Sequence, residues 1–494
     1  MTGRNLIRRV RLAVVLAVFP AGLAAQAPAP VPRQLSLDAA IGLSEQSSEA
    51  IGIARAGLHR ARADVSRAQS GFLPQLTGIA SYTRTLKSQF SALQGNSDSS
   101  SSSASTPCSK FVPNSGLTLN QRVDSLEAAV ACQSGSNPFA AFKDLPFGRP
   151  NEYDLGLQGS WTLFNGMQNV ADRAGAVAGR RSAEVGLTAE RARNLLTVAQ
   201  AYYDALLAGR LLTIADSTLA QTDRTLSETK LAAQVGNKAE FDLLRAQVAR
   251  DNQVPVQIQR RAAREVAYLR LKQLLNIPTA DSVTLTTALE GPATALPAEV
   301  SDFSSDTATS ERAGVLQAAA ALDQAAARRR AARGLTWPAL TLSSTYTRIA
   351  YPESGLPSLN SFVTNWSVVL GASVPLFTGG RLSAGRSTAE ANLEEAELRL
   401  AQARKAAALD ALTAATQLSA AEAGWSASEG TVGQAERAYQ IAEVRYREGI
   451  STQTELSDSR IQLQQAQATR AQAARDLQLA RLKMAVLRDL PAGS

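Results

Sequence analysis

Apolar and polar residues alternate along two long stretches of the chain. Tyr153, Leu155, Leu157, Gly159, Trp161 and Leu163 occupy odd positions, with Asp154, Gln158, Ser160 and Thr162 between them. Further on, Trp366, Val368, Leu370, Ala372, Val374 and Leu376 alternate with Ser367, Val369, Gly371 and Ser373. Weaker alternation places Leu76, Gly78, Ala80 and Tyr82 on one side, and Leu340, Leu342 and Tyr346 on another. A period of two over ten or more residues predicts strands. These are longer than the usual soluble strand of about five or six residues, and roughly 9–11 tilted residues cross a bilayer. Aromatics at the strand ends (Tyr82, Tyr153, Trp161, Tyr346, Trp366) suit interfacial belts. Taken alone, the strands also fit a soluble sandwich with one wet face.

The period then changes. The segments "WTLFNG" (161–166) and "VPLFTG" (374–379) each end a strong strand, and each opens an Ala-rich stretch without proline, 168–234 and 381–447. Leu195, Val198, Ala199, Tyr202, Leu206 and Leu207 recur at three- and four-residue steps, as on an amphipathic helix. About 65 helical residues extend roughly 100 Å. Partner segments return after glycine turns and end near "LLNIP" (274–278) and "MAVLRDL" (484–490). Sustained apolar spacing with many alanines predicts closely packed coiled-coil hairpins.

The whole order is written twice. "FLPQLTGIASYTR" (72–84) matches "TWPALTLSSTYTR" (336–348), with Pro74 and Pro338 separated by 264 positions. Gly166 and Gly379 are separated by 213, as are Gly236 and Gly449 in "VGNKAEFDLLRAQ" and "EGISTQTELSDSR". The first half therefore holds 51 extra residues after Tyr82, where "SDSSSSSAS" and both cysteines lie, and composition reads that segment as a loop insertion. The expected division is a signal peptide at 1–25, a first repeat at 26–279, a linker or equatorial segment at 280–307, and a second repeat at 308–494. The first repeat holds a helix, strands at about 74–86 and 151–164, an extracellular insertion at 87–150 and a helical hairpin at 167–277. The second holds a helix, strands at about 338–350 and 363–377, and a hairpin at 380–490. Internal duplication makes each half one structural unit, stacked on its neighbour.

Composition changes this picture in three places. Of the formal charge of +8, four units belong to Arg4, Arg8, Arg9 and Arg11, which precede the apolar run "LAVVLAVFPAGLAA". A basic start, a short apolar run and a small-residue end mark a secretory signal, cleaved near Ala25. The remainder carries +4, so the basic balance is a targeting signal and not a nucleic-acid surface. Cys108 and Cys132 are the only cysteines. Export to an oxidising compartment favours a local disulfide between them, with two free thiols as the alternative. The single histidine, His59, reads as a solvated helix residue; it excludes a His-based zinc cluster and disfavours a Ser-His-Asp triad. No phosphate- or dinucleotide-binding glycine pattern follows a strand. The chain reads as no enzyme, with no cofactor and no metal.

Four strands form an open sheet, and in hydrocarbon every unpaired backbone group costs several kcal/mol. Sister copies must close it. Two copies give eight strands, a barrel filled by its own side chains. Three give twelve, with room for water, so a conducting protein would be a trimer whose helices extend the barrel as a coaxial tunnel. The competing readings are a soluble periplasmic coiled-coil scaffold or adaptor without a pore, and an exported hydrolase, which the absent site residues disfavour.

The sequence resembles the TolC-like outer membrane efflux protein family. The resemblance spans nearly all of the mature chain: "LSLDAAIGLS" (35–44), the two Pro-led strands, both Leu-Phe-x-Gly transitions, "AYYDALL" (201–207) and both glycine turns. It implies an α+β membrane protein: a homotrimeric 12-stranded outer membrane β-barrel, four strands per chain, continuous with a periplasmic α-helical barrel. It also implies passive export of substrates delivered by an inner-membrane transporter and a periplasmic adaptor, or membrane fusion protein. Outer membrane lipid surrounds the barrel, and no nucleic acid is a partner. In the family a carboxylate six residues beyond the first turn glycine meets a tyrosine three before the second, which here are Asp242 and Tyr446. A phenol–carboxylate bond of this kind is short and charge-assisted. The family arginine two residues after the second glycine is Ser451 here, with Lys238 a candidate substitute. Family acidic positions fall on Glu455 and Asp458, three apart on one helix face. Three copies would form a cation-selective entrance ring, open to block by trivalent cations. An acidic pair near an exposed turn also fits a plain solvated face.

Overall fold

Long stretches free of proline and rich in alanine form helices because alanine loses little on becoming helical. The computed structural model describes residues 33–86, 114–134, 149–290, 309–352 and 354–491. In chain order the elements are β1 (Arg33–Leu35), α1 (Leu37–Ser47), α2 (Glu49–Ser70), β2 (Gln75–Arg84), α3 (Leu119–Ser134), β3 (Asn151–Asn165), α4 (Gln168–Gln234) and α5 (Glu240–Leu274). They continue as β4 (Val283–Leu285), α6 (Ala313–Gly334), β5 (Ala339–Ala350), β6 (Val363–Ser373), α7 (Arg381–Arg447) and α8 (Gln453–Ala485). The helices α4 and α7 each run unbroken for 67 residues. Among the described residues proline lies inside a helix once, at Pro255 of α5.

The chain divides into two compact units that each draw on both repeats. One holds Glu49–Arg193, Phe303–Ala415 and Ala485–Ser494; the other holds Met1–Ser48, Asn194–Asp302 and Thr416–Met484. Both long helices pass from one unit into the other along the chain.

In the first of these units an antiparallel sheet runs in the order β2-β3-β5-β6, so β2 and β6 are its edges. Side chains alternate between faces, and cross-strand partners share one. One row therefore reads Gly78, Leu157, Tyr346, Trp366, and the neighbouring row on the opposite face reads Thr77, Gln158, Thr345, Ser367. The apolar face continues through Leu76, Leu155, Trp161, Leu342, Val368 and Leu370. The other face is mostly Ser, Thr and Gln, with Glu152 and Asp154 as its only charges and Ile79, Ile349, Val363 and Val369 as its large apolar residues. Aromatic pairs sit on the apolar face: Tyr82 with Tyr153 at 4.7 Å between ring centres, and Tyr346 with Trp366 at 6.5 Å. Arg348 is on that face near the strand end, where it lies over the Phe362 ring and donates to the Leu359 carbonyl.

The register slips by one residue between Thr162 and Phe164, just before the strand gives way to helix. There Gly166 adopts a left-handed φ of +63°, and its backbone packs directly against Gly334 at the end of α6. The last strand stops at Ser373, short of the expected 377. Pro375 follows and has no N–H to offer a ladder. Beside the sheet, Val315, Leu400 and Ala407 form a small core between α6 and α7. Arg312 caps the start of α6 while 1% exposed, and its Nη1 donates to the Ala407 carbonyl at 2.8 Å. Burial lowers its pKa from the ordinary guanidinium value, against the pull of Asp410.

The insertion is not loop throughout. Residues Leu119, Val123, Leu126 and Val130 recur at steps of four, three and four, and α3 forms on that spacing. Composition had masked this periodicity among polar neighbours. Cys108 and the Cys132 side chain lie outside the described residues, as does the proposed signal segment at 1–25. His59 is exposed on α2.

In the second unit β1 and β4 pair in parallel, with Arg33 opposite Val283. Leu195, Val198, Ala199 and Tyr202 of α4 are buried, while Leu206 and Leu207, on the same spacing, are half-buried; Tyr203 is buried as well. The two hairpin turns are built alike. After α4, Asn237 N–H donates to the Ala232 carbonyl at 2.8 Å and Gly236 N–H to Ala233 at 3.1 Å; after α7, Ile450 donates to Arg445 at 2.8 Å and Gly449 to Tyr446 at 3.1 Å. Both are helix-ending glycine turns of the Schellman kind, with φ +79° at Gly236 and +75° at Gly449.

Candidate functional site

The two glycine turns bring the last turns of α4 and α7 and the first turns of α5 and α8 into one unit. Tyr446 lies three residues before Gly449, and its own carbonyl accepts from that glycine. Its side chain is 5% exposed, packed with Tyr439, Ala442, Leu456 and Leu463. The hydroxyl is 2.9 Å from Thr229 Oγ1 on α4, a buried hydrogen bond across 217 positions of sequence. Lys238, in the turn between α4 and α5, sets its Nζ over the Tyr446 ring at 4.2 Å from the centre. Burial raises the phenol pKa above its ordinary value; the Thr229 bond opposes this, and the charges of Asp242 and Glu228 add to it.

Asp242 stands in the first turn of α5, where a carboxylate favours the helix N-terminus. Within the chain it acts on Tyr446 through charge, while the tyrosine hydroxyl is paired with Thr229 instead. With its amide oriented to satisfy both ends, Gln453 donates to the Asp242 carbonyl at 2.6 Å and accepts from the Ala246 amide at 2.8 Å. Arg245 stacks on Phe241 and donates to Thr454, a second tie between α5 and α8.

Glu455 and Asp458 are both exposed on α8. Thr452 caps that helix by accepting from the Glu455 N–H at 3.3 Å, so Glu455 occupies the third position of a Thr-x-x-Glu start. Its carboxylate pairs with Arg445 Nη1 at 3.5 Å. Asp458 borders a groove of about 470 Å³ between α5 and α8, which Phe241, Leu244 and Val248 line on the α5 side. Ser451 follows the second turn, its N–H on the Arg445 carbonyl.

Sequence reading did not identify Thr229. A signal was present: Thr218, Thr222, Thr225 and Thr229 follow steps of four, three and four along α4, and Thr218, Thr222 and Thr229 are buried. Among the described residues no helix is long and apolar enough to cross a membrane, and no cluster of His, Cys, Asp or Glu could hold a metal ion.

A four-stranded sheet with one largely apolar and one largely polar face, joined twice to a 67-residue helix that opens a hairpin, is the fold of an outer membrane efflux protein. The chain belongs to the outer membrane efflux protein family, whose model matches residues 40–276 and 305–487. Its place is the outer membrane, with the helices in the periplasm. A search of curated protein sequences gives no match. Among solved structures the chain is similar to VceC from Vibrio cholerae, at 18% identity and a TM-score of 0.67 over 92% of this chain and 96% of that one. It is similar to the CmeC channel of Campylobacter jejuni at 14% identity and a TM-score of 0.68, over 93% and 87%. The open state of the MtrE channel of Neisseria gonorrhoeae matches at 20% identity and a TM-score of 0.67, over 92% and 89%.

Proposed function

We propose that three copies of this chain close a 12-stranded barrel and passively conduct substrates, delivered by an inner-membrane transporter and a periplasmic adaptor, to the exterior. The observation that carries this reading is the sheet itself. Its two faces differ in character, one largely apolar and the other mostly Ser, Thr and Gln, and its edge strands β2 and β6 pair with nothing else among the described residues. An apolar face suits lipid, a polar face suits water, and unpaired edges are untenable in hydrocarbon. Three sheets of four strands close all edges and leave a wet bore.

Within that channel Asp242 and Tyr446 belong to a constriction at the hairpin ends, and Glu455 and Asp458 supply an acidic ring at the entrance that favours cations. Purified protein should require detergent, run as a trimer, and give cation-selective single-channel currents in planar bilayers. A monomer soluble in plain buffer would refute the channel and favour a periplasmic scaffold. Replacing both Glu455 and Asp458 by their amides should reduce cation selectivity without abolishing current.

A further inference from the structure

Helix α3 has its own start and its own apolar stripe. The Gln121 side chain accepts from the Thr118 N–H at 3.2 Å, as in a Thr-x-x-Gln capping box. Leu119, Val123, Leu126 and Val130 then follow steps of four, three and four, and they are 46–76% exposed. So narrow a stripe is the seam of a coiled coil, not the broad face of a helix laid on a core. The charges agree with that seam. Arg122 and Glu127 flank it on opposite sides, five positions apart. Along one helix only residues three and four apart are neighbours. Five apart is the separation at which flanking residues of opposite sides meet between parallel helices.

We propose that the α3 helices of three copies pack in parallel around the threefold axis and plug the outward mouth of the barrel, with Arg122 of each copy paired to Glu127 of the next. The proposal rests on the trimeric channel reading. Its placement follows from the strands. Chain leaves α2 for β2 at Gln75, and β2 ends at Arg84, opposite Asn151. The insertion therefore departs from the end of the sheet away from α2 and α4. With the helices in the periplasm, that end faces outward. A threefold axis makes the three helices parallel whatever their tilt. Twelve strands about 4.8 Å apart and tilted by about 40° close on a radius of about 12 Å. The shorter connection, 135–150, spans up to about 50 Å when extended, so each copy reaches the axis. A 16-residue helix is marginal on its own. Attachment to one barrel holds the three at roughly millimolar effective concentration. Valine and leucine alternating along a seam favour pairs in free peptides, so the barrel is what sets three.

The test uses the full chain in the outer membrane of intact cells, with Cys108→Ser and Cys132→Ser throughout. Thr345→Cys, on the polar face of the sheet, reports entry to the bore through its rate of labelling by a bulky maleimide added outside. Arg122→Glu and Glu127→Arg each set like charges across all three seams. Each should speed labelling about tenfold, the weight of three exposed pairs. The double variant Arg122→Glu/Glu127→Arg should return to the parent rate, which no contact along a single helix predicts. Leu126→Asp should speed labelling like either reversal, and Ala128→Lys, on the outer side of α3, should leave it unchanged. A photo-crosslinking residue in place of Leu126 should join chain to chain within α3, and in place of Ala128 should not. Single reversals without effect, a double variant as open as either single one, or adducts from position 126 only to the same chain or to another protein would overturn the plug. A trimer in which all these variants label alike ends the plug and leaves the channel standing. A parent protein that forms no trimer ends the channel reading and the plug with it.

Discussion

Tyr202 and Leu35 stand 167 positions apart and meet through one hydrogen bond, the Tyr202 hydroxyl donating to the Leu35 carbonyl at 2.8 Å. The same oxygen lies 3.0 Å from Thr287 Oγ1 and accepts from the Thr287 N–H at 3.3 Å. Leu35 ends β1 and Thr287 follows β4, so one buried phenol on α4 fastens both strands of the parallel pair. This is what the "AYYDALL" segment does in the fold. Tyr202→Phe keeps the ring but takes away the acceptor of the Thr287 N–H, while the Leu35 carbonyl keeps the Thr286 N–H and Thr287 Oγ1 keeps the Leu37 N–H. It should lower stability by about 1–3 kcal/mol, measurable as a shift in the denaturant midpoint with the trimer retained.

Tyr203 is buried beside it, and its phenol is pushed up to about 12 by that burial first, then by Tyr202 and Asp38. A raised folded-state value means that the fold favours the neutral, protonated form. The resulting stability is complete below the unfolded value of 10.0 and is lost as pH rises towards 12. Tyr203→Phe should flatten the fall in stability over that alkaline window. An equal fall in both proteins would show that Tyr203 ionises as readily in the fold as in the unfolded chain.

Gly166 and Gly379 hold equivalent places in the two Leu-Phe-x-Gly segments, and both have left-handed φ, +63° and +57°. Their surroundings differ. A Cβ on Gly166 would run into the Gly334 backbone, while one on Gly379 meets nothing within 4 Å. Gly379→Ala should cost only the φ strain, about 1–2 kcal/mol, and still assemble. Gly166→Ala adds a backbone clash that no rotamer relieves, so it should lose folded protein in the membrane fraction. Matching yields for the two variants would mean that the α6–α4 junction yields easily.

Strands and long helices were legible because their patterns are local. The alternation from Tyr153 to Leu163 falls inside β3, since each face of that strand meets one kind of surroundings. Helices α4 and α7 show as runs without proline, and Gly236 and Gly449 mark their ends because only a left-handed residue closes a Schellman turn cheaply. What stayed hidden depends on meetings between distant segments. The partner of Tyr446 is Thr229, 217 positions away, and nothing near Tyr446 in sequence selects a hydroxyl over a carboxylate. Similarly, α3 lies in a segment whose serine-rich flank dominates its composition, and only the spacing of Leu119, Val123, Leu126 and Val130 reveals a helix. The duplicated order could be read directly, yet the compact units cut across it, because each 67-residue helix contributes its two ends to different packing environments.

Val368 and Val369 are adjacent in β6 and point to opposite faces of the sheet. Val368 is opposite Ser344, on the face that carries Tyr346, Trp366 and Leu370; Val369 is opposite Ser343, on the face that carries Thr345 and Ser367. Both sit mid-strand, and both are exposed in a single chain. If the first face meets lipid, Val368→Lys places an ammonium in hydrocarbon near its midplane, at about 2–4 kcal/mol per copy. Val369→Lys places the same charge in the wet bore, where hydration persists and the cost should be small. Urea unfolding from lipid vesicles should therefore separate two variants that share composition, charge and position to within one residue. The second should also shift ion selectivity towards anions, since it adds three positive charges to a bore whose only charged residues on the sheet are Glu152 and Asp154. Equal destabilisation by the two lysines, or a greater loss from Val369→Lys, would show that the faces are assigned the wrong way round or that neither faces lipid.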